Sequence, residues 1–288
     1  YGIEPFIKKC KESVWKYKSE WEKMSDRVGY WVDMEHPYIT YNDTYIESVW
    51  WSLKNIFDRG LIYKGHKIVP YCPRCGTALS SHEVAQGYKD VEEKSAAVSF
   101  KVKGQADTYI VAWTTTPWTL PSNVALCMGS TFDYATVESD GKKYIMAEKR
   151  IPEYFKEGEY TVLSVRKGAD FAGTEYEPLY ANYNGPKKSH YVVTDGYVTL
   201  DDGTGVVHIA PAFGEDDARV GRDNHLPFVQ LVDTQGKFVE GTPWAGEGTK
   251  QVNEKIIEDL RGRGLLLAAL PFTHNYPFCW RCDTPLLY

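Results

Sequence analysis

Two segments of this 288-residue chain concentrate groups able to do chemistry. The first is Trp113-Thr-Thr-Thr-Pro-Trp118-Thr-Leu-Pro-Ser-Asn123. Its three threonines close a strand pattern, and alternation along a strand points Thr114 and Thr116 to one side and Thr115 to the other. Pro117 and Pro121 then force the chain out of the sheet. Hydroxyls and free N–H groups on a rigid turn can hold a carbonyl oxygen or a ribose. Threonine also favours strands for packing alone, but three in a row between Trp and Pro point to a site. The second segment runs from Gly203 through His208 and Pro211 to Gly214 and Asp217. Alternation puts Val206, His208 and Ala210 on one face, and Pro211 to Gly214 makes a turn. Glu215, Asp216 and Asp217 then fall in the first turn of a helix. Acids there are stabilised by the helix dipole, about 0.3–1 kcal/mol each, whatever their function. The same field predicts a lowered pKa for Asp217. An anion so held is a poor general base and a good anchor for a substrate ammonium.

Four of the six cysteines form two pairs, Cys72-Pro-Arg-Cys75 and Cys279-Trp-Arg-Cys282. In a chain without a visible secretory signal, paired CxxC reads as metal before disulfide, and as a reducing compartment. Two such turns fill a zinc tetrahedron and leave no position for water, so the ion is expected to be structural. Separate redox dithiols are the alternative. One shared ion requires residues 75 and 279 to meet, so the intervening residues form an inserted domain. Cys10 and Cys127 are expected to be buried small hydrophobes.

The elements that must position these groups follow from periodicity. Residues 5–28 read as one helix, with Phe6, Cys10, Val14, Tyr17, Trp21, Met24 and Val28 on its stripe. Residues 43–59 read as another, from an Asn42 N-cap to a stop at Gly60. Residues 61–71 read as extended. Beyond residue 94 strands are predicted at 97–103, 109–116, 143–147, 160–165, 190–193, 205–210 and 228–232, with helices near 215–224 and 250–263. The fold class is α+β: a β-barrel-like domain inserted into a small helical and zinc-knuckle base. The expected boundaries are 1–71 helical, 72–93 with 265–288 as the zinc base, and 94–264 as the β-rich domain.

Hydrophobic residues at 43% and charged residues at 25% exclude a wholly disordered chain. A net charge of −6 and a pI near 5.7 exclude a global basic field for nucleic acid. The longest aliphatic run, 265–270, is too short to span a bilayer. There is no GxSxG, GxxxxGK[ST], GxGxxG or HExxH segment. A first residue other than Met suggests a piece of a longer protein.

The WTTTPWTLPSN and GTGVVHIAP-x-x-G-x-x-D segments, both CxxC pairs and the Asn275-Tyr-Pro-x-Cys279 ending resemble the editing insertion of the isoleucyl branch of class I aminoacyl-tRNA synthetases. Thr115-Thr-Pro-Trp118 stands where valyl and leucyl relatives carry a TTRP-type segment. The family's HIGH and KMSKS segments are absent; Gly65-His66 and Lys23-Met-Ser25 are superficial echoes. Phe213 stands where many bacterial members carry His. The resemblance implies an excised editing module that hydrolyses valine esterified to the 3′ end of isoleucine tRNA and has no ligase activity. One methylene discriminates by only about 1–3 kcal/mol, a limit for which this synthetase is itself the standard example, so a second sieve is needed. The implied roles are catalytic for Asp217, Thr115 and Thr116, with Asp217 holding the valine ammonium. Thr114, Thr119, Asn123, His208 and Trp118 would bind substrate, His208 as the wall that excludes isoleucine. Cys72, Cys75, Cys279 and Cys282 would hold structural zinc. The implied setting is a cytoplasmic monomer, in contact with the rest of its synthetase and no membrane, and residues 1–71 would adjoin the synthetase core. The alternative is a zinc-stabilised tRNA-binding module without turnover. A free-standing hydrolase is weaker, since it would not need the N-terminal helices.

Overall fold

The computed structural model describes residues 2–288, and the chain divides into two compact units between His66 and Lys67. The first unit holds α1 (Ile3–Trp15), α2 (Lys18–Arg27) and α3 (Asp43–Asp58). The single helix expected over 5–28 is broken where Tyr17 leaves helical geometry (φ −115°, ψ 13°). Neither Pro nor Gly marks that break in the sequence. None of the residues in the three helices is buried. The predicted stripe is exposed, with Phe6 at 60% and Trp21 at 64%. Cys10 is exposed too, against expectation, because α1 buries none of its residues within this unit. Asn42 does occupy the N-cap of α3, with extended backbone but no side-chain bond. Gly60 leaves the helix with φ +70°. Residues 61–70 carry no regular structure, so the extended segment expected there shrinks to the strand that follows.

The second unit begins with β1 (Tyr71–Cys72), β2 (Thr77–Ala78) and α4 (Ser81–Ala85). The long β3 (Tyr88–Lys101) then leads to β4 (Thr108–Thr114), β5 (Ala125–Met128), β6 (Asp133–Ser139), β7 (Lys142–Ala147) and β8 (Thr161–Lys167). There follow β9 (Tyr191–Thr194), β10 (Val206–Ile209), α5 (Glu215–Asp223), α6 (Thr249–Gly262) and β11 (Leu266–Pro277). The main sheet has the order β8-β6-β7-β4-β10-β5-β9, and β3 adds to β4. β4 runs parallel to both β7 and β10, β5 parallel to β9, and the other pairs are antiparallel. This curled mixed sheet bears out the α+β, barrel-like expectation.

β3 and β11 pair antiparallel from Tyr88↔Pro277 to Val98↔Leu266. They form a ribbon whose outer end reaches the cysteines and whose inner end joins the sheet. The main core packs Val98, Phe100, Ile110, Leu126, Tyr134 and Tyr176 against Val252, Ile256 and Leu260 of α6. Apolar positions on one face of α6 thus close the sheet. The predicted strand at 228–232 is absent as such; Val232 makes only an isolated bridge to Phe238. No helix among the described residues is long and apolar enough to cross a membrane.

Candidate active site and metal centre

The threonine segment turns where β4 ends. Thr114 is its last residue, and Thr116 already departs from the strand at φ −124°, ψ 71°. Pro117 opens a 3₁₀ turn, Pro117–Ser122, whose six residues are all buried. Fixed φ and a missing N–H suit Pro to that first position. The hydroxyls form a chain. The Thr116 N–H donates to Thr114 Oγ1 at 3.0 Å, and the two Oγ1 atoms lie 3.4 Å apart. Thr119 Oγ1 donates to the Thr116 carbonyl at 2.8 Å and lies 2.9 Å from His208 Nε2. With the Thr119 proton committed to that carbonyl, His208 Nε2 is assigned as the donor and Nδ1 as a bare acceptor. Nδ1 is buried and has no partner. Burial pushes the His208 imidazole down to about 4, so it is neutral at physiological pH.

β10 carries His208 into this position. Val207 pairs with Trp113 of β4, and His208 pairs with Leu126 of β5. Two glycines upstream make the approach possible. A Cβ on Gly203 (φ +67°) would lie 2.8 Å from the Trp113 ring, and one on Gly205 (φ +73°) 2.5 Å from Ala147 Cβ. After β10, Gly214 caps α5, and a Cβ there would crowd the Asp217 carboxyl at 3.0 Å. Asp217 Oδ2 accepts from the Ala210 N–H at 2.9 Å. Asp217 therefore joins the group through the backbone two residues beyond His208.

The expectation that the helix dipole depresses Asp217 is overturned. Burial outweighs the Ala210 bond, and with Asp216 nearby lifts the carboxyl to about 7. A terminal dipole contributes roughly one kcal/mol, whereas removing a carboxylate from water costs several.

The other predicted residues are spread around this line. Trp118 is buried, edge-on to Phe213 at 4.8 Å, and its main-chain N–H donates to Asn253 Oδ1 at 2.9 Å. Asn123 is committed to scaffolding: its Nδ2 donates to Ala125 O at 2.8 Å, and its Oδ1 accepts from Tyr176 Oη at 2.6 Å. Thr115 is half-buried. Thr116 and Trp118 border a cavity of about 530 Å³ that also meets Lys237, Lys250, Asn253 and Tyr276. Asp217, His208 and Thr119 do not line it. Sequence reasoning missed Asn253 and the Arg219–Asp195 pair, bidentate at 2.8 Å for both bonds, which anchors α5. No local pattern announces either, because each bond joins distant segments.

The four paired cysteines meet. Sγ atoms lie 3.5 Å apart for Cys72–Cys282, 3.4 Å for Cys75–Cys282 and 4.0 Å for Cys75–Cys279, all within 4.8 Å of one another. A tetrahedron with Zn–S bonds of about 2.3 Å has edges of about 3.8 Å. The donor set fits such an ion. The two knuckles share one design: Gly76 and Asp283 both take positive φ (67° and 60°). Each donates its N–H to the carbonyl of the first cysteine, at 2.9 Å and 2.8 Å. Glu83 braces the second knuckle by accepting from Trp280 Nε1 at 3.1 Å and Arg281 at 2.6 Å. The Ser80 N–H first, and then the Arg281 and Trp280 bonds, hold its carboxyl down to about 2.

The structure thus sets a curled mixed sheet on a cysteine base, with a threonine turn meeting a strand histidine. The family model of tRNA synthetases class I (I, L, M and V) matches residues 1–259, and the chain belongs to this family. Within it, the chain is similar over its whole length to Isoleucine--tRNA ligase of Clostridium novyi (57% identical) and of Clostridium acetobutylicum (58% identical). It spans 28% of the length of each. The isoleucyl branch expected from Thr115-Thr-Pro-Trp118 is thus the one these relatives carry. In fold it is similar to the solved chain described as GlLeuRS-CP1, with a TM-score of 0.53 at 14% identity, over 62% of this chain and 99% of that one.

Proposed function

We propose that this chain is the editing part of an isoleucine–tRNA ligase and hydrolyses the ester linking valine to the 3′-terminal adenosine of isoleucine tRNA. The observation that carries the reading is the Asp217 carboxyl in the first turn of α5, anchored on the Ala210 N–H two residues beyond His208, whose Nε2 meets Thr119. A carboxylate there binds the valine ammonium. The opposite charge in turn favours the ionised carboxyl. His208, neutral and wedged against Thr119, forms the wall that admits valine and blocks the extra methylene of isoleucine. The Thr114, Thr115 and Thr116 hydroxyls and N–H groups orient the ester and a water molecule. Water is the nucleophile, since the one hydroxyl of the segment that meets a ring nitrogen, Thr119, gives its proton to the Thr116 carbonyl and accepts from His208. Trp118 and the cavity beside it receive the terminal nucleoside.

We further propose that zinc sits on Cys72, Cys75, Cys279 and Cys282. Bound there, it cross-links the two knuckles and takes no part in hydrolysis. In this reading residues 72–93 and 265–288 are the base, 94–264 the editing domain and 1–71 the segment that meets the remainder of the synthetase, in a cytoplasmic monomer. The test is hydrolysis of Val-tRNA(Ile) beside Ile-tRNA(Ile), with the unsubstituted chain and Asp217→Ala. Loss of valine alone, dependent on Asp217, is expected. Hydrolysis of neither by folded, zinc-loaded protein overturns the reading for this chain and leaves a tRNA-binding module.

A further inference from the structure

We propose that Lys237 and Lys250 bind phosphodiesters of the single-stranded RNA that leads into the site, at the nucleotides preceding the terminal adenosine. The inference rests on the reading of this chain as an editing domain, which puts an RNA 3′ end beside Trp118. Both lysines line the cavity of about 530 Å³ that Thr116 and Trp118 border, a volume in the range of ligand sites. Glu93 is the one carboxylate on the wall of that cavity. It is already engaged, lying 3.5 Å from Lys250 Nζ and 3.4 Å from His274 Nε2. Lys237 Nζ has no ion pair or hydrogen bond among the described residues. The wall therefore carries an excess of positive charge, in a chain whose net charge is −6. That excess is local and has no general basic field behind it.

The backbone holds the two cations in one unit. Residues 233–237 make a tight turn, in which Gly236 takes φ +73° and donates its N–H to the Asp233 carbonyl at 3.0 Å. The Lys237 N–H donates to Asp233 Oδ1 at 3.0 Å, and the Asp233 N–H donates to the Lys237 carbonyl at 2.8 Å. Lys237 is bridged in turn to Gly248, and the Thr249 N–H donates to the Gly236 carbonyl at 3.1 Å. Lys250 stands two residues beyond that bridge, in the first turn of α6. Both side chains thus start from fixed backbone, and the start of α6 adds the positive end of a helix dipole. Lys250 Nζ also lies 5.8 Å from the Phe278 ring centre, which keeps its ammonium near the wall. Glu247, next in sequence to Gly248, is engaged by Lys255 at 2.5 Å. Cations on a fixed frame beside the aromatic wall of Trp118 and Tyr276 suit a single strand, whose phosphates take the charge while its bases meet the rings.

The probe is an uncharged RNA hairpin with a short single-stranded 3′ extension ending in adenosine, read by fluorescence anisotropy beside the same hairpin with a blunt end. Both lysines are exposed, so Lys237→Ala and Lys250→Ala should keep the fold, checked by circular dichroism. Each is expected to weaken binding of the extended hairpin about five- to tenfold at low salt, and to flatten the slope of log affinity against log salt by about 0.7, one phosphate contact on a single strand. Binding of the blunt hairpin should stay as it was. Unchanged affinity and slope in both variants overturns the proposal, and so does an unsubstituted chain that binds the two hairpins alike. An equal loss on both hairpins overturns it too, since the lysines would then act by general charge attraction. Displacement of the RNA by millimolar inorganic phosphate would make this a site for free anions and overturn the RNA assignment. In turnover of Val-tRNA(Ile) the loss should fall on KM; a loss confined to kcat counts against a binding role. If the unsubstituted chain hydrolyses nothing, the proposed hydrolysis fails while the hairpin comparison still decides the role of the lysines.

Discussion

The cysteine cluster and the Asp217 site are built on opposite plans. The cluster uses four like groups, and two knuckles of the same backbone design bring them within one ion's reach. Its chemistry is a property of the residues, and burial matters little: Cys75 is exposed while Cys72 and Cys279 are buried. The Asp217 site uses unlike groups on three elements, and burial gives them their properties. His208 is neutral and Asp217 is poised near neutrality because the fold removes water from both. A motif suffices to find the first plan; the second exists only once the sheet has closed.

That contrast can be broken experimentally. The largest effect is expected from metal removal. Chelation, or Cys279→Ser, should lower the unfolding temperature of the zinc-loaded chain by more than about 10 °C, since structural zinc contributes several kcal/mol or more to folding. An unmoved transition, read by calorimetry with zinc quantified by mass spectrometry, would show that the cysteines hold no ion.

Next comes the pH dependence of stability. The folded pKa of Asp217, about 7, lies above its ordinary value of 3.8, so the native state binds the proton more tightly than the unfolded chain. This contribution is fully present below about pH 4 and is lost as pH rises through about 7, up to about 4 kcal/mol in all. Asp217→Asn should remove it, making the variant more stable than the unsubstituted chain at about pH 8 in urea titrations. Equal stability there would mean that water reaches the carboxyl freely.

Smaller in free energy is the effect on turnover. Asp217→Ala should slow Val-tRNA(Ile) hydrolysis by about 10²-fold, the value of one charge-assisted contact, with the fold intact by circular dichroism. A fall below tenfold would move the ammonium anchor elsewhere. The smallest effect tests the sieve. His208→Ala opens space beside Thr119 and should raise hydrolysis of Ile-tRNA(Ile) about tenfold, as befits one methylene of discrimination. Unchanged rejection of isoleucine would remove His208 as the wall.

The sequence made much of this legible where spacing is short. Both CxxC knuckles, the proline-driven exit at Pro117 and the glycines ahead of His208 are local instructions, and the structure follows them. β5 was invisible because Ala125–Met128 is buried on both faces and so lacks alternation. β11 was hidden by Ala268, Ala269 and Pro271; only its pairing with β3 makes it a strand. Asn123 reads as a site residue by company, yet Tyr176, distant in sequence, claims its side chain. The pKa of Asp217 departs from the sequence expectation because the dipole is written in the helix start, whereas desolvation is written nowhere locally.

The β3–β11 ribbon also has a consequence in time. Cys75 and Cys282 are 207 positions apart, so a chain made from its N-terminus exposes the first knuckle long before the second exists. At roughly 5–20 residues per second that interval is on the order of 10–40 s. For that period Cys72 and Cys75 are a bare dithiol on the nascent chain, open to oxidants and to competing metals. Strands β3 and β11 must pair before the four thiols can meet. Closure of the knuckles therefore reports that β3 and β11 have found each other across the residues between them.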